Sequence, residues 1–433
     1  MEWVLADLAI IVVFLVVGVP IPFCFMGVVV FRSLVHGFGW DFLLPMGFYK
    51  LNSIILLSIP MFIILGTLLN SAGIGIRLVN LANAITGRFR GGLGAVSVVA
   101  CAMIGAIAGT CSAAVAVVGS TMIPRMEENG YPRGYSSALI SCASVLGQLI
   151  PPSVPMILFA WVTMQSVAAC FLSTVGPGII LVSLYCLINY IYVRKFPLKT
   201  QKQPSFGGWM GGIGRSLHKA SISLLIPILL LGCILGGITT PTEAATGLVL
   251  VAILVGFFVY REMNMKEFGR TLVIAGTTSG VIILMVYFVS IMSRIYVMQN
   301  IPQQIITLTK EISPNKYAIL LMVNVILLIQ GMLMDDFSGT MMAAPLLFPL
   351  MKELGVHPIH FAAIMGTNLG MGNMTVPMAP ILYLGCRVGN TTIDKVMVPA
   401  TVFLIFGSLP VVLITTYWPG LSLFLPRLIL GIK

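Results

Sequence analysis

The residues of this chain best suited to chemistry carry no charge. They lie in Gly147-Gln148-Leu149-Ile150-Pro151-Pro152-Ser153-Val154-Pro155, inside an apolar run from Ser136 to Val162. At about 1.5 Å per residue that run crosses a bilayer. Pro151 and Pro152 each lack an N–H and clash with the preceding turn, so the helix breaks near mid-depth. Carbonyls released there cannot face lipid and must face protein or a wet cavity. Carbonyl and hydroxyl oxygens, Ser153 among them, are the ligands a hard cation takes. Gly147 lets the backbone approach an ion closely. Discontinuous membrane helices of this kind hold ions and small solutes in transporters. In a single membrane helix, packing and kinking explain glycines and prolines equally well.

A second copy lies 225 residues further on. Between Pro124–Pro155 and Pro349–Pro380 identities fall at Pro124/Pro349, Met126/Met351, Glu128/Glu353, Gly130/Gly355, Ala138/Ala363, Gly147/Gly372, Pro152/Pro377 and Pro155/Pro380. A second break is therefore expected over Gly372–Pro380. Gly147, Ile150 and Ser153 map onto Gly372, Thr375 and Met378, and Ile150 and Met378 offer only a carbonyl.

Two more apolar runs are interrupted. Gly91 to Pro124 breaks at Gly109-Thr110-Cys111-Ser112-Ala113, and basic residues (Arg88, Arg90, Arg125, Arg133) flank it. The pattern predicts a re-entrant helical hairpin, with two tight spans as the alternative. Tyr317 to Pro349, broken at Met334–Gly339, is its counterpart. Thr110 and Ser112 add hydroxyls for a cation at the first tip. Half-helix N-termini at the tips offer N–H groups and dipole ends to an anion. Gly109, Thr110, Pro152, Ser338, Asn368 and Asn373 are candidate substrate contacts, and Thr340 is a further hydroxyl donor. For Asp335, ion binding and hairpin capping both stand open.

These residues must be positioned by membrane helices. Of the 433 residues 58% are hydrophobic and 9% charged, and the recurring apolar runs define an all-α polytopic membrane protein. The net charge of +11 sits in short loops, which fits the positive-inside rule and not nucleic-acid binding. The stretch 194–219 carries Arg194, Lys195, Lys199, Lys202, Arg215 and Lys219 without an acid and is expected to be a cytoplasmic loop. The eight cysteines form no CxxC pair and read as small buried residues. Met1 onward reads as a mature span without a leader. HExxH, GxSxG and GxxxxGKS are all missing, so no enzyme and no organic cofactor is expected. His357 and His360 read as loop residues, and Arg294 as a side chain snorkelling to the interface.

Trp3–Val17 and Phe23–Phe31 form two short spans about a turn, or one helix kinked at Pro20. Glu2 and Asp7 favour an outside N-terminus. Asn52–Leu69 is the next span, then an amphipathic arm over Gly73–Arg90. Ala168–Val193, Ile222–Ile238, Ala244–Tyr260 and Thr271–Val297 are spans, with Glu243 capping a helix start after Thr240. A second arm covers Ile301–Lys316. His360–Cys386 is the second broken span, Val398–Trp418 closes the core, and the tail Pro419–Ile432 is unplaced. The organisation predicted is scaffold over 1–72, first transport repeat over 73–193, loop over 194–221, scaffold over 222–300, and second repeat with C-terminal helices over 301–433. By span count the repeats are inverted, with Gly130 inside and Gly355 outside.

Several motifs in order carry a family resemblance. They are Ile59-Pro60-Met61-Phe62 to Gly66, Ala72-Gly73-Ile74, Arg90-Gly91-Gly92-Leu93, Gly109 to Ala113, Gly119-Ser120, Ile123 to Met126, and Gly130-Tyr131. Ile150-Pro151-Pro152-Ser153, Thr240 to Ala245, Gly331 to Asp335, and Pro345 to Pro349 complete the set. Over nearly its whole length the chain resembles the large membrane subunit (DctM type) of tripartite ATP-independent periplasmic, or TRAP, transporters. It departs from the family pattern at Ala114 (commonly acidic), Asp336 (usually proline), Val376-Pro377 (a proline pair) and Ala379 (a glycine). The resemblance implies sodium-coupled import of an organic acid, such as a C4-dicarboxylate or sialic acid, by an elevator motion. It implies a small four-helix membrane subunit (DctQ type), here a separate chain, and a periplasmic substrate-binding protein (DctP type) in a bacterial inner membrane. It adds Gly331 and Asp335 to a sodium set of Thr110, Ser112, Gly147, Ile150, Ser153, Gly372, Thr375 and Met378, with sodium the only metal. A self-sufficient sodium-dicarboxylate or citrate transporter is the alternative.

Overall fold

The computed structural model describes residues 2–86, 91–198, 206–376 and 378–432. Arg88, Arg90, Lys199, Lys202 and Pro377, used above for topology and repeat, lie outside the described residues. Every regular element among the described residues is helical. By length and composition six helices can cross a membrane, or up to eight if each bent pair is one span.

The chain opens with a helical pair, Glu2–Val17 and Ile21–His36, so the reading as one kinked helix is not the one found. Gly18 turns it at φ +88°, and the Val19 N–H donates back to the Phe14 carbonyl. The return brings Arg32 onto Asp7, with Nε and Nη2 at 2.9 and 2.6 Å from Oδ2 and both side chains 1% exposed. The Tyr296 hydroxyl donates to the same oxygen at 2.9 Å, and Arg32 Nη1 donates to Gln299 Oε1 at 2.6 Å. Asp7 is therefore a buried partner of Arg32, and its cancelled charge carries no topological information.

Trp40–Leu51 is a helix the apolar pattern did not disclose. Asp41, Pro45 and Lys50 interrupt its hydrophobicity, and 12 residues do not span. Ile54–Ser71 packs along Pro241–Leu254 and Met265–Met298 to form the scaffold. Thr240 and Glu243 make a reciprocal capping box at the head of Pro241–Leu254, as expected for Glu243. Phe206–Leu235 is helical and starts well inside the stretch expected to be loop, with a bend of 63° between Gly211–His218 and Ala220–Leu235.

Both amphipathic arms are present, as Ile74–Thr86 and Ile301–Ile312. The first docks its buried Leu78, Val79, Leu81 and Ala82 inward, and its Arg77 guanidinium lies 3.7 Å from the Tyr260 ring centroid and 2.7 Å from Glu262. On the second, Lys310 pairs with Glu353.

The first hairpin is Gly92–Ala108 with Cys111–Glu128, and the first broken span is Arg133–Ala143, Leu146–Leu149 and Val154–Thr163. The second hairpin is Lys316–Leu333 with Asp336–Glu353, and the second broken span is Pro358–Gly372 with Pro380–Val388. The offset of 225 carries Cys111–Glu128 onto Asp336–Glu353 end to end and Arg133 onto Pro358. The repeat thus extends beyond the residues whose identities show it. Val167–Tyr192 follows the first copy and Ile393–Tyr417 the second. The tail forms a helix, Pro419–Leu430, packed on Val167–Tyr192.

Candidate functional site

Each hairpin tip meets the break of a broken span. At the first junction Ala108 ends one limb and Gly109 turns at φ +65°. Thr110 then caps the next limb, its Oγ1 accepting from the Ala113 N–H at 3.4 Å. The broken span supplies the complement. Val154 N–H donates to the Gly109 carbonyl at 3.3 Å. A Cβ on Gly147 would stand 2.7 Å from the Thr110 carbonyl oxygen, and one on Gly105 2.4 Å from Gly147 Cα. Backbones approach this closely only where side chains are absent. The tip therefore stops at the middle of the broken span, which is the geometry of a re-entrant hairpin and not of two full spans. Ile150 is extended (φ −94°, ψ 119°), so the chain leaves helix there before Ser153 starts the next piece. The Ser153 hydroxyl is 0% exposed and has no hydrogen-bond partner.

The second junction repeats the plan with different side chains. Cβ atoms at Gly331 and Gly372 would stand 3.0 and 2.6 Å from each other's Cα. Asp335 caps its helix, Oδ1 accepting from the Ser338 N–H at 3.3 Å and from the Ser338 hydroxyl. Thr110 and Asp335 are thus the same cap in the two copies. Gln330 Nε2 donates to the Gly339 carbonyl at 3.0 Å and ties the two limbs together. Ile381 N–H donates to the Asn373 carbonyl at 3.3 Å across the break. Ala379 holds φ +31°, ψ 62°, the left-handed region that glycine favours.

The candidate residues fall in several places. Gly109, Thr110, Gly147, Pro152 and Ser153 gather at the first junction, with Ile150 in its wall. Gly331, Asp335, Ser338, Gly372 and Asn373 gather at the second. Ser112 is exposed beside the first tip. Met378 is half-buried next to Ala379. The Thr375 hydroxyl turns back to the Met371 carbonyl at 2.8 Å. Asn368 Nδ2 is held by Asn324 Oδ1 at 3.0 Å and the Ile364 carbonyl at 2.8 Å. His360 stands within a helix, its Nε2 2.7 Å from the Thr415 carbonyl. The Arg294 guanidinium lies 5.8 Å from the Phe42 ring centroid.

Sequence reasoning passed over the residues that join the copies. Gln148 Nε2 donates to the Gly366 carbonyl at 2.8 Å. The Cys111 thiol lies beside the Asp336 carboxylate, and these two occupy equivalent positions of the two hairpins. Lys50, Trp161, Ser290, Ser293, Met341 and Pro345 line a cleft between Trp40–Leu51, Val154–Thr163, Met265–Met298 and Asp336–Glu353.

Paired hairpin tips inserted into paired broken spans, beside a separate helical scaffold, define a membrane transporter core. The chain belongs to the DctM component family of the tripartite ATP-independent periplasmic transporters, whose family model matches residues 8–421. It is 32% identical over 424 residues to the isethionate TRAP transporter permease protein DctMQ of Oleidesulfovibrio alaskensis, a match that covers 95% of this chain. The chain spans only 64% of that relative's length. It is 33% identical over 372 residues to the C4-dicarboxylate TRAP transporter large permease protein DctM of Pseudomonas aeruginosa, covering 86% of each. It is 30% identical over 418 residues to the sialic acid TRAP transporter large permease protein SiaM of Vibrio cholerae, covering 96% of each. The crystal structure of the Alcanivorax borkumensis YdaH transporter shares the fold, with a TM-score of 0.63 at 14% identity over 90% of this chain and 88% of that one. The protein is a multi-pass large permease of the bacterial inner membrane.

Proposed function

We propose that this subunit imports an organic acid by sodium-coupled, elevator-type alternating access. The acid is delivered by a periplasmic binding protein of DctP type, and a DctQ-type four-helix subunit completes the complex. One observation carries the reading: two breaks at matched register, each closed by a hairpin tip and lined with backbone oxygens. At the first, the Ser153 oxygen is buried without a donor. Sodium is a hard cation served by such oxygens. Thr110, Ser112, Gly147, Ile150 and Ser153 supply one site, and Gly331, Asp335, Gly372, Thr375 and Met378 the other. Substrate charge is met by the N–H groups and dipole ends at the tips, near Gly109, Thr110, Pro152 and Ser338, with Asn368 and Asn373 as the amide candidates. Relatives named for C4-dicarboxylate and sialic acid support a carboxylate substrate.

The test is uptake into proteoliposomes containing the three components. Transport is expected to require an inward sodium gradient and the binding protein. Ser153→Ala and Thr375→Ala are each expected to raise the sodium concentration for half-maximal uptake several-fold. Uptake by this chain alone would favour a self-sufficient transporter. Sodium dependence untouched by either substitution would remove the side-chain part of the ion sites.

A further inference from the structure

Asp336 is a buried carboxylate set between the two copies. It is 6% exposed at the first position of its helix. Its carboxylate accepts from Asn373 Nδ2 at the second break and lies beside the Cys111 thiol of the first hairpin tip. Among the described residues no Lys, Arg or His pairs with it, and the charged neighbour it faces is the carboxylate of Asp335. Asp335 is already engaged with Ser338 as a helix cap. A buried carboxylate with neutral partners is expensive to leave uncompensated.

Two further buried oxygens, one on its partner Asn373 and one on its own helix, lack partners. Asn373 turns its Nδ2 to Asp336 and leaves Oδ1 without a donor, with the residue 0% exposed. Thr340 lies one turn along the same helix face as Asp336, and its Oγ1 is buried without a partner on a residue 0% exposed. One carboxylate, one amide oxygen and one hydroxyl form a hard-oxygen donor set. A single free carboxylate is balanced by a single positive charge.

We propose that Asp336, Asn373 and Thr340 form a monovalent-cation site, occupied by sodium, at the junction of the two hairpin tips. It is separate from the two ion sites above but takes the same class of ion. Because Cys111 of the other copy lies beside the Asp336 carboxylate, the ion sits where the two tips meet.

The experiment is a sodium titration of the melting temperature of the full-length chain in nanodiscs, with choline holding ionic strength constant. The wild-type melting temperature is expected to rise with sodium. Asp336→Asn is expected to raise the midpoint sodium concentration at least ten-fold. Thr340→Val, which keeps the shape and removes one neutral oxygen, is expected to raise it by a smaller factor. An Asp336→Asn midpoint equal to wild type overturns the site. If Asp336→Asn does not fold, an unchanged Thr340→Val midpoint does so. Ser153→Ala shifted with both of these unchanged leaves the two junction sites standing and removes this one. A wild-type chain indifferent to sodium overturns both proposals. A response to pH and not to sodium, lost in Asp336→Asn, shows that a proton takes the place and overturns the metal-ion site.

Discussion

Gly331 and Gly372 bring two backbones together so closely that a Cβ on Gly331 would lie 2.7 Å from the Leu369 carbonyl oxygen. That atom belongs to the backbone and cannot swing away. Gly331→Ala is therefore expected to lower stability by about 1–3 kcal/mol through overpacking. It should also move the second tip off its break, so sodium-dependent uptake should fall more than the melting temperature suggests. Near-wild-type uptake in proteoliposomes would show that the tip tolerates the shift. Gly372 was legible in the sequence because prolines force a break after it, and Gly331 through the family resemblance. Asp336 and Cys111 were not. Their partnership rests on one contact between residues 225 positions apart, and neither belongs to a motif that implies the other. The Ser338 hydroxyl, a candidate substrate contact, hydrogen-bonds Asp335 and Met285 Sδ, the latter at 2.9 Å, and the sequence gives no sign of either bond.

At the scale of elements, interruption proved the readable signal. Both hairpins and both broken spans lie where glycine, proline and polar residues cut an apolar run. The amphipathic arms lie where the apolar stripe is narrow. Trp40–Leu51 escaped because it is short, mixed and partly exposed, so neither length nor periodicity marks it. The loop expected to run to Lys219 hides a helix from Phe206, because a basic, glycine-containing stretch weakens the apolar pattern. The opposite orientation of the two copies is tested by accessibility. Gly130→Cys is expected to react with a membrane-impermeant thiol reagent only from the cytoplasmic side, and Gly355→Cys only from the periplasmic side. The same side for both would end the inverted arrangement.

For the whole molecule, the proposed elevator motion requires a scaffold that holds still while the other helices move against it. The Asp7–Arg32–Tyr296 cluster ties the N-terminal pair to Met265–Met298 in the middle of that scaffold. Asp7→Asn leaves Arg32 buried without its counter-charge and is expected to cost about 3–5 kcal/mol. Replacing both, as Asp7→Leu with Arg32→Met, should recover most of that loss, since well-packed apolar residues of similar volume are often neutral substitutes for a buried pair. Melting curves of the two variants separate these outcomes, and a double variant as unstable as the single one would assign the loss to packing. Glu262 with Arg77 is a weaker tie, because both side chains are partly exposed.

The bond from Gln148 to the Gly366 carbonyl spans 218 residues of chain. A ribosome adding about 5–20 residues per second makes that stretch in roughly 10–40 s. Throughout that interval the Gln148 amide has been made and the carbonyl it binds has not. Biogenesis of this protein thus passes through a half-built state in which the first copy lacks this partner.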